Sequence, residues 1–239
     1  MRIDAHHSYS ERHPLEILKT ILERNRFEGS ILVTDAFMPM WHILRLDLAD
    51  ANLPCLLDDC QRRSEARGVC HRLAENNLRS IFPALFELAH RRFPLDLELC
   101  AAQLPLVPRI AERYPTLRIA IDHLGRPAVP GNIDQWARDL ERAAQCPNVY
   151  CKLSGLTTLS PLPWRAIDLR PAVQHALAVF GPGRLMFGSD WPNCLPAATW
   201  KETLAAFTQS IGAQSTEVRE EILGETARRF YQLGTGNAA

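Results

Sequence analysis

No apolar run in the 239 residues approaches the roughly 18 needed to cross a bilayer as a helix, so a membrane span is not expected. Met1-Arg2-Ile3-Asp4 leads directly into the first apolar run, so a secretory leader is not expected. The seven cysteines (Cys55, Cys60, Cys70, Cys100, Cys146, Cys151 and Cys194) are odd in number and contain no Cys-x-x-Cys pair. These features predict reduced thiols, a cytoplasmic location and no thiolate zinc site. An excess of either charge is missing too: Lys plus Arg and Asp plus Glu each number 27, for a net charge of zero. Nucleic acid is therefore not an expected partner. The pairs Arg62-Arg63, Arg91-Arg92 and Arg228-Arg229 fall on helix faces, where a solvated surface explains them. A glycine-rich phosphate loop is absent after the first strand, where Asp4-Ala5-His6-His7-Ser8 stands instead. That disfavours a dinucleotide-binding, doubly wound sheet.

What remains is an ordinary globular composition, 46% hydrophobic and 23% charged, with no linker or low-complexity tract. The length suits one domain over residues 1–239. Short apolar runs alternate with amphipathic stretches. The runs are Arg2–Ala5, Ser30–Val33, Pro54–Leu57, Arg67–Cys70, Leu95–Leu99, Arg118–Ile121, Val149–Leu153 and Leu185–Phe187, which read as eight strands. Several are apolar on both faces, as parallel strands covered by helices must be. Between them, Leu15–Arg26 places Leu15, Leu18, Ile21 and Leu22 on one helix face, and Asn77–Arg92 does the same with Leu78, Ile81, Leu85 and Leu88. Further helices are expected over Gln103–Arg113, Ile133–Ala144, Ile167–Phe180, Ala197–Ser210 and Thr216–Leu233, the last N-capped by Ser215. Weaker helical stretches cover Met40–Ala51 and Asp58–Ala66. Strand then helix, eight times over, predicts an α/β fold: a compact, somewhat distorted (β/α)8 TIM barrel.

Barrel chemistry gathers where strands end. Those positions hold His6, His7 and Ser8 after the first strand, Asp35 after the second, and Asp58 and Asp59 after the third. His71 and Arg72 follow the fourth, His123 the sixth, Lys152 and Ser154 end the seventh, and Asp190 follows the eighth. Such a ring supplies what hydrolysis needs: a carboxylate to take a proton from water, and imidazoles or a cation to polarise a carbonyl. Each residue also has a plainer role open to it. His6 suits a barrel rim, His123 a turn, Asp190 a helix N-cap and Lys152 a structural ion pair. Trp191 suits simple packing. His7, His13, His42, His90 and His175 are read as non-catalytic.

Several segments together resemble a known family. Ile121-Asp122-His123-Leu124-Gly125-Arg126-Pro127, Lys152-Leu153-Ser154-Gly155 and Met186-Phe187-Gly188-Ser189-Asp190-Trp191-Pro192 are similar to its DHxG+P, KLSG and FGSDWP segments. Ile3-Asp4-Ala5-His6 opens the chain, and Ala227-Arg228-Arg229-Phe230-Tyr231 closes it, in the same way. The resemblance is to the amidohydrolase-related (amidohydrolase 2) barrels, in the branch of sugar-lactone and pyrone-dicarboxylate lactonases. It implies opening of a small lactone or related cyclic ester, with Asp190 as the base that activates water and His123 and His6 polarising the carbonyl. Lys152, Arg72 and Arg126 would hold substrate, and Trp191 would wall the pocket. His6, His123 and Asp190 are also the candidate ligands for a divalent metal, zinc or manganese. A small-molecule partner is implied, and a homodimer is compatible.

The chain departs from the family pattern in three places. Ser8 stands where the second histidine of His-x-His belongs, and strand alternation prevents His7 from replacing it. This weakens a metal site that usually needs three protein ligands. Gly68-Val69-Cys70 replaces Gly-Val-Arg, with Arg72 two residues on at the same strand parity, and Thr226 replaces an Asn. The departures admit a metal-independent hydrolase, a catalytically silent homologue that binds a small ligand, or a decarboxylase of the same superfamily.

Overall fold

The computed structural model describes residues 1–74 and 78–234. Eight strands lie side by side in sequence order: β1 (Ile3–Ser8), β2 (Gly29–Thr34), β3 (His42–Arg45), β4 (Ala66–Arg72), β5 (Leu95–Glu98), β6 (Ile119–Ile121), β7 (Val149–Leu153) and β8 (Leu185–Phe187). Every neighbouring pair is parallel. Beyond β8 the chain returns to β1. The Ser8 amide donates to the Trp191 carbonyl at 2.7 Å, and the Asp190 amide donates to the His6 carbonyl at 2.9 Å. The sheet thereby nearly closes into the expected (β/α)8 barrel.

The outer layer is helical: α1 (Leu15–Arg24), α2 (Leu53–Gln61), α3 (Phe82–His90), α4 (Leu106–Arg113), α5 (Asp134–Ala144), α6 (Leu156–Leu159), α7 (Ala166–Phe180) and α8 (Trp200–Ile211). The chain then runs through α9 (Thr216–Glu220), a π-turn (Glu221–Glu225) and α10 (Thr226–Phe230). Ser215 caps α9 as expected, its hydroxyl accepting from the Val218 amide. Residues 35–41 join β2 to β3 without a helix, which is where the barrel departs from ideal alternation. No helix among the described residues is long and apolar enough to cross a membrane.

One expected strand is misplaced. Pro54–Leu57 belongs to the first turns of α2, and the third strand is His42–Arg45, inside a stretch read as weak helix. A four-residue apolar run does not by itself distinguish strand from helix. Pro54 sits in the helix's first turn, where a missing amide proton costs nothing. Cys55, expected in a buried strand, is exposed on α2, and Asp58 and Asp59 lie on the same helix, away from any strand end. The expected start of the next helix at Asn77 lies outside the described residues.

Two apolar layers result. Between strands and helices pack residues such as Leu18, Leu22, Leu85, Leu88, Leu97 and Ile119. Inside the barrel, Ile3, Ala5, Ile31, Val33, Ile43, Cys70, Ala120 and Met186 form a second cluster with Ala227, Phe230 and Tyr231 of the closing segment, which plugs it from below. Ile3 and Ala5 face this interior while Asp4 reaches outward to Trp200 of α8. Strict alternation would send His6 outward as well. A register shift between Asp4 and His7 reverses the parity, as β-bulges near active sites do, and delivers His6 and Ser8 to the open end.

The shift leaves His7 fully buried, with neither ring nitrogen in a hydrogen bond of good geometry and only the Ile31 backbone close enough to offset the burial. Burial, reinforced by the neighbouring His6, pushes its pKa from 6.5 down to about 3. Below pH 6.5 the unfolded chain takes up a proton that the folded chain refuses, so this contribution to stability is complete above 6.5 and lost as pH falls towards 3. His7→Leu should remove that acid loss and, by eliminating a poorly paired buried group, add about 1–3 kcal/mol at neutral pH. Urea denaturation of both proteins across the mildly acidic range measures this. An unchanged acid limb would refute it.

Candidate active site

At the C-terminal ends of the strands, a cavity of about 280 Å³ is lined by His6, Ser8, Arg45, Cys70, Glu98, Asp122, His123, Arg126, Thr158, Asp190 and Asn193. Its reactive centre draws on three elements. His6 comes from the shifted end of β1, His123 from the turn after β6, and Asp190 from the turn after β8. The rings of His6 and His123 meet edge to face with centroids 4.6 Å apart. His6 Nε2 lies 3.9 Å from Asp190 Oδ1. Asp4 binds the first and last of these elements together. Its carboxylate accepts from the Ser189 amide at 2.8 Å and the Trp200 indole at 2.9 Å, and from the His6 amide at 3.4 Å.

The turns that carry the reactive groups are held in costly conformations. His123, Leu124, Gly125 and Arg126 all have positive φ, and so does Asp190 at 57°. A non-glycine residue in this region costs on the order of 1–3 kcal/mol. Local bonds hold the His123 turn. Ser154 Oγ accepts from the His123 amide at 3.3 Å and lies 2.9 Å from His123 Nδ1, and the Trp136 indole donates to the Leu124 carbonyl at 2.7 Å. The Ser154 hydroxyl, with one proton and two lone pairs, can pair with His123 Nδ1 in either tautomer of the ring while accepting from the amide. Gly155 is required beside it, having a φ of +62° and a position where a Cβ would stand 2.9 Å from His123 Nδ1. Asp190 Oδ1 accepts from Asn193 Nδ2 at 3.1 Å, and the same amide nitrogen lies 3.3 Å from Ser8 Oγ. The serine in the place of the second histidine is therefore one link removed from the carboxylate.

Beneath the cavity lies a buried charge cluster. Lys152, with 0% exposure, forms ion pairs with Asp96 and with Asp122 Oδ1 (3.0 Å), and its Nζ is 3.2 Å from His6 Nδ1. Tyr231, from below, donates to Asp96 Oδ2 at 2.7 Å. Burial opposes each charge, and the cluster answers. Asp122 is held well below the usual carboxylate range by the Lys152 ammonium and His6, while Lys152 is held above its ordinary value by Asp122 and Asp96. Asp96, for which burial outweighs the ammonium, is raised to about 6. Burial, with His6 beside it, lowers His123 and keeps that ring neutral, against the pull of Asp190 and Asp122. At the rim, Glu98 binds Arg72 and Arg126 and is held below its ordinary value: burial would raise it, and the guanidinium groups prevail.

His6, His123 and Asp190 offer donor atoms all within 4.8 Å of one another. A divalent cation would need the lone pair of each Nε2. A ligating imidazole would also direct its other N–H at an acceptor, whereas His6 Nδ1 faces the Lys152 ammonium at 3.2 Å. As arranged, the donor set does not fit a metal ion.

The structure brings His6, His123, Asp190 and Arg126 to one cavity and puts three expected site residues elsewhere. Lys152 is below the cavity wall. Arg72 is at the rim with its side chain 75% exposed, engaged by Glu98. Trp191 is buried against His13 (ring centroids 5.7 Å apart), and its backbone closes the barrel. Sequence reasoning missed Arg45, Glu98, Asp96, Asp122 and Asn193. Parity was the available signal for most of them. Asp96 and Glu98 alternate with leucines in β5, Asp122 is two residues past the inward Ala120, and Arg45 is two past Ile43 in the misplaced strand.

The profile of the amidohydrolase family matches residues 65–233. An L-fucono-1,5-lactonase of Burkholderia multivorans is 38% identical over 152 residues, covering 58% of this chain and 51% of that protein. The chain spans about half the length of the curated relatives it matches. A crystal structure of a Burkholderia multivorans amidohydrolase with bound zinc superposes with a TM-score of 0.87 at 25% identity, covering 98% of this chain and 100% of the other. A Pseudomonas putida structure named for 2-pyrone-4,6-dicarboxylic acid hydrolysis gives a TM-score of 0.82 at 22% identity, with 98% of each chain covered, and shows the fold alone.

Gly188 supplies a test of the site's packing. A Cβ there would stand 2.7 Å from the His6 Cβ and 3.0 Å from the Ser154 Cβ, both rigid neighbours. Gly188→Ala should displace His6 and cost about 1–3 kcal/mol through overpacking. The denaturation midpoint and a crystal structure of the variant check this, and a variant of wild-type stability with His6 unmoved contradicts it.

Proposed function

This chain belongs to the amidohydrolase family, and from that membership and the geometry of its cavity we propose that it hydrolyses a small lactone. The observation that carries the reading is the convergence of Asp190 with two imidazoles in one cavity. The naming of a similar Burkholderia protein as an L-fucono-1,5-lactonase supports a sugar-acid lactone as the substrate class. Arg45, Arg126 and Glu98, side by side at the rim, suit a polyhydroxylated ring that both donates and accepts hydrogen bonds.

In this scheme the lactone carbonyl oxygen lies between His6 Nε2–H and His123 Nε2–H, which stabilise the charge it gains in the tetrahedral intermediate. Asp190, held by Asn193, removes a proton from water as the water oxygen bonds to the carbonyl carbon. When the intermediate collapses, the ring C–O bond breaks and the Asp190 carboxylic acid returns its proton to the departing oxygen. The product is a hydroxy acid, which ionises and releases one proton to the medium. Arg126 and Arg45 keep substrate hydroxyls in register with the centre.

A pH-stat assay over a panel of sugar-acid 1,5-lactones, with 2-pyrone-4,6-dicarboxylate included, tests this. The wild-type protein should release acid with at least one lactone. Asp190→Asn should fold normally, because an amide oxygen can also accept from Asn193, and should lose about a hundred- to ten-thousand-fold in kcat. Turnover by the variant at the wild-type rate would remove Asp190 from the mechanism. No turnover across the panel would overturn the lactonase reading.

A further inference from the structure

Lys152 touches neither solvent nor the cavity, yet one of its three N–H bonds is directed at a cavity residue. Around Nζ stand Asp96 Oδ2, Asp122 Oδ1 at 3.0 Å and His6 Nδ1 at 3.2 Å. An ammonium has three protons and no lone pair, so Asp96 Oδ2 and His6 Nδ1, which are hydrogen-bonded to it, must accept, while Asp122 Oδ1 is paired with it by charge. A neutral imidazole has one lone pair and one proton. With the lone pair of His6 on Nδ1, its proton is on Nε2, the nitrogen that faces Asp190. We propose that Lys152 is a positioning residue whose ammonium locks His6 in the Nε2–H tautomer, so that His6 meets the cavity as a hydrogen-bond donor and not as a metal ligand.

The contrast with a metal-binding histidine is chemical. A ligating imidazole gives its lone pair to the cation and donates its other N–H to a carboxylate, a carbonyl or water. Here the other nitrogen faces a cation. Ligation through Nε2 would move the proton to Nδ1 and set an N–H against an N–H at 3.2 Å. A carboxylate that could receive an Nδ1 proton is close by, since Asp122 Oδ1 lies 3.7 Å from His6 Nδ1. It is the ammonium that prevents this arrangement, and the same ammonium aims Nε2–H at the place of the substrate carbonyl. The value of that N–H in turnover rests on the hydrolytic reading above. The tautomer and the weak metal preference do not.

Heteronuclear NMR of the histidine ring nitrogens in the wild-type protein at neutral pH tests the tautomer directly. The expected result for His6 is an unprotonated Nδ1 and a protonated Nε2. An Nδ1–H ring overturns the proposal. Zinc titration by calorimetry is the second arm, on the wild type and on the double variant Lys152→Met with Asp96→Asn. The double change removes one buried charge of each sign and leaves Asp122 free to accept from His6 Nδ1. Zinc should then bind about 10- to 100-fold more tightly than in the wild type, with the metal-free His6 ring shifted to Nδ1–H. Equal zinc affinity in the two proteins overturns the proposal, and if the variant does not fold the wild-type spectrum still decides. An Nε2–H ring in a protein that opens no lactone would leave this inference standing and the hydrolytic reading refuted. An Nδ1–H ring in an active lactonase would do the reverse.

Discussion

A single ammonium buried inside the barrel sets the terms for the rest of the structure. Removing such a charge from water costs several kcal/mol even after relaxation, and only close, well-oriented partners repay it. Lys152 on β7 therefore draws Asp96 from β5, Asp122 from the end of β6 and His6 from β1 to one point. Tyr231 closes the set from the terminal segment below. Sliding any of these strands by one residue would turn its contributing side chain to the wrong face and leave a charge without its partner. The apolar interior, built from Ile3, Ala5, Ile31, Val33, Ile43 and Met186, tolerates rearrangement more readily than the cluster does.

The cavity above inherits its electrostatics from this layer. Asp122 remains ionised beside the ammonium, and His123 remains neutral because burial outweighs the pull of the carboxylates near it. Of the three carboxylates that line the cavity, Asp122 is paired with Lys152 and Glu98 with Arg126, while Asp190 stands beside the imidazoles. The backbone contributes as well. His123 and Asp190 are both held at positive φ, by the Ser154 and Trp136 bonds in one turn and by Asp4 and Asn193 around the other. Strain of this kind persists only where surrounding contacts over-determine it.

Much of the barrel is legible in the sequence, because parallel strands and their covering helices leave different periodicities. Seven of the eight expected strands lie where their apolar runs are, including the two short runs at Arg67–Cys70 and Leu95–Leu99. The third escaped because His42–Arg45 is four residues long and sits among apolar residues at helical spacing, while Pro54–Leu57 imitates a strand. Losing that strand also hid Arg45. Asp96 and Glu98 stand in plain view in β5, but local patterning does not tell whether an acid in a strand meets a cation or solvent.

The sequence by itself determined the barrel class and the identity of the groups at the strand ends, His6, His123 and Asp190 among them. Those features depend on periodicity and on the order of residues along each strand. Tertiary structure decided what the groups can do. It moved Lys152 from the cavity wall to a place beneath it, tied Arg72 to Glu98, and reversed the parity of β1 so that His6 and Ser8 face inward while His7 is fully buried. The physical reason is that a side chain's proton, charge and tautomer depend on neighbours distant in sequence. Lys152 and His6 are 146 residues apart, and only the closed barrel brings them within 3.2 Å.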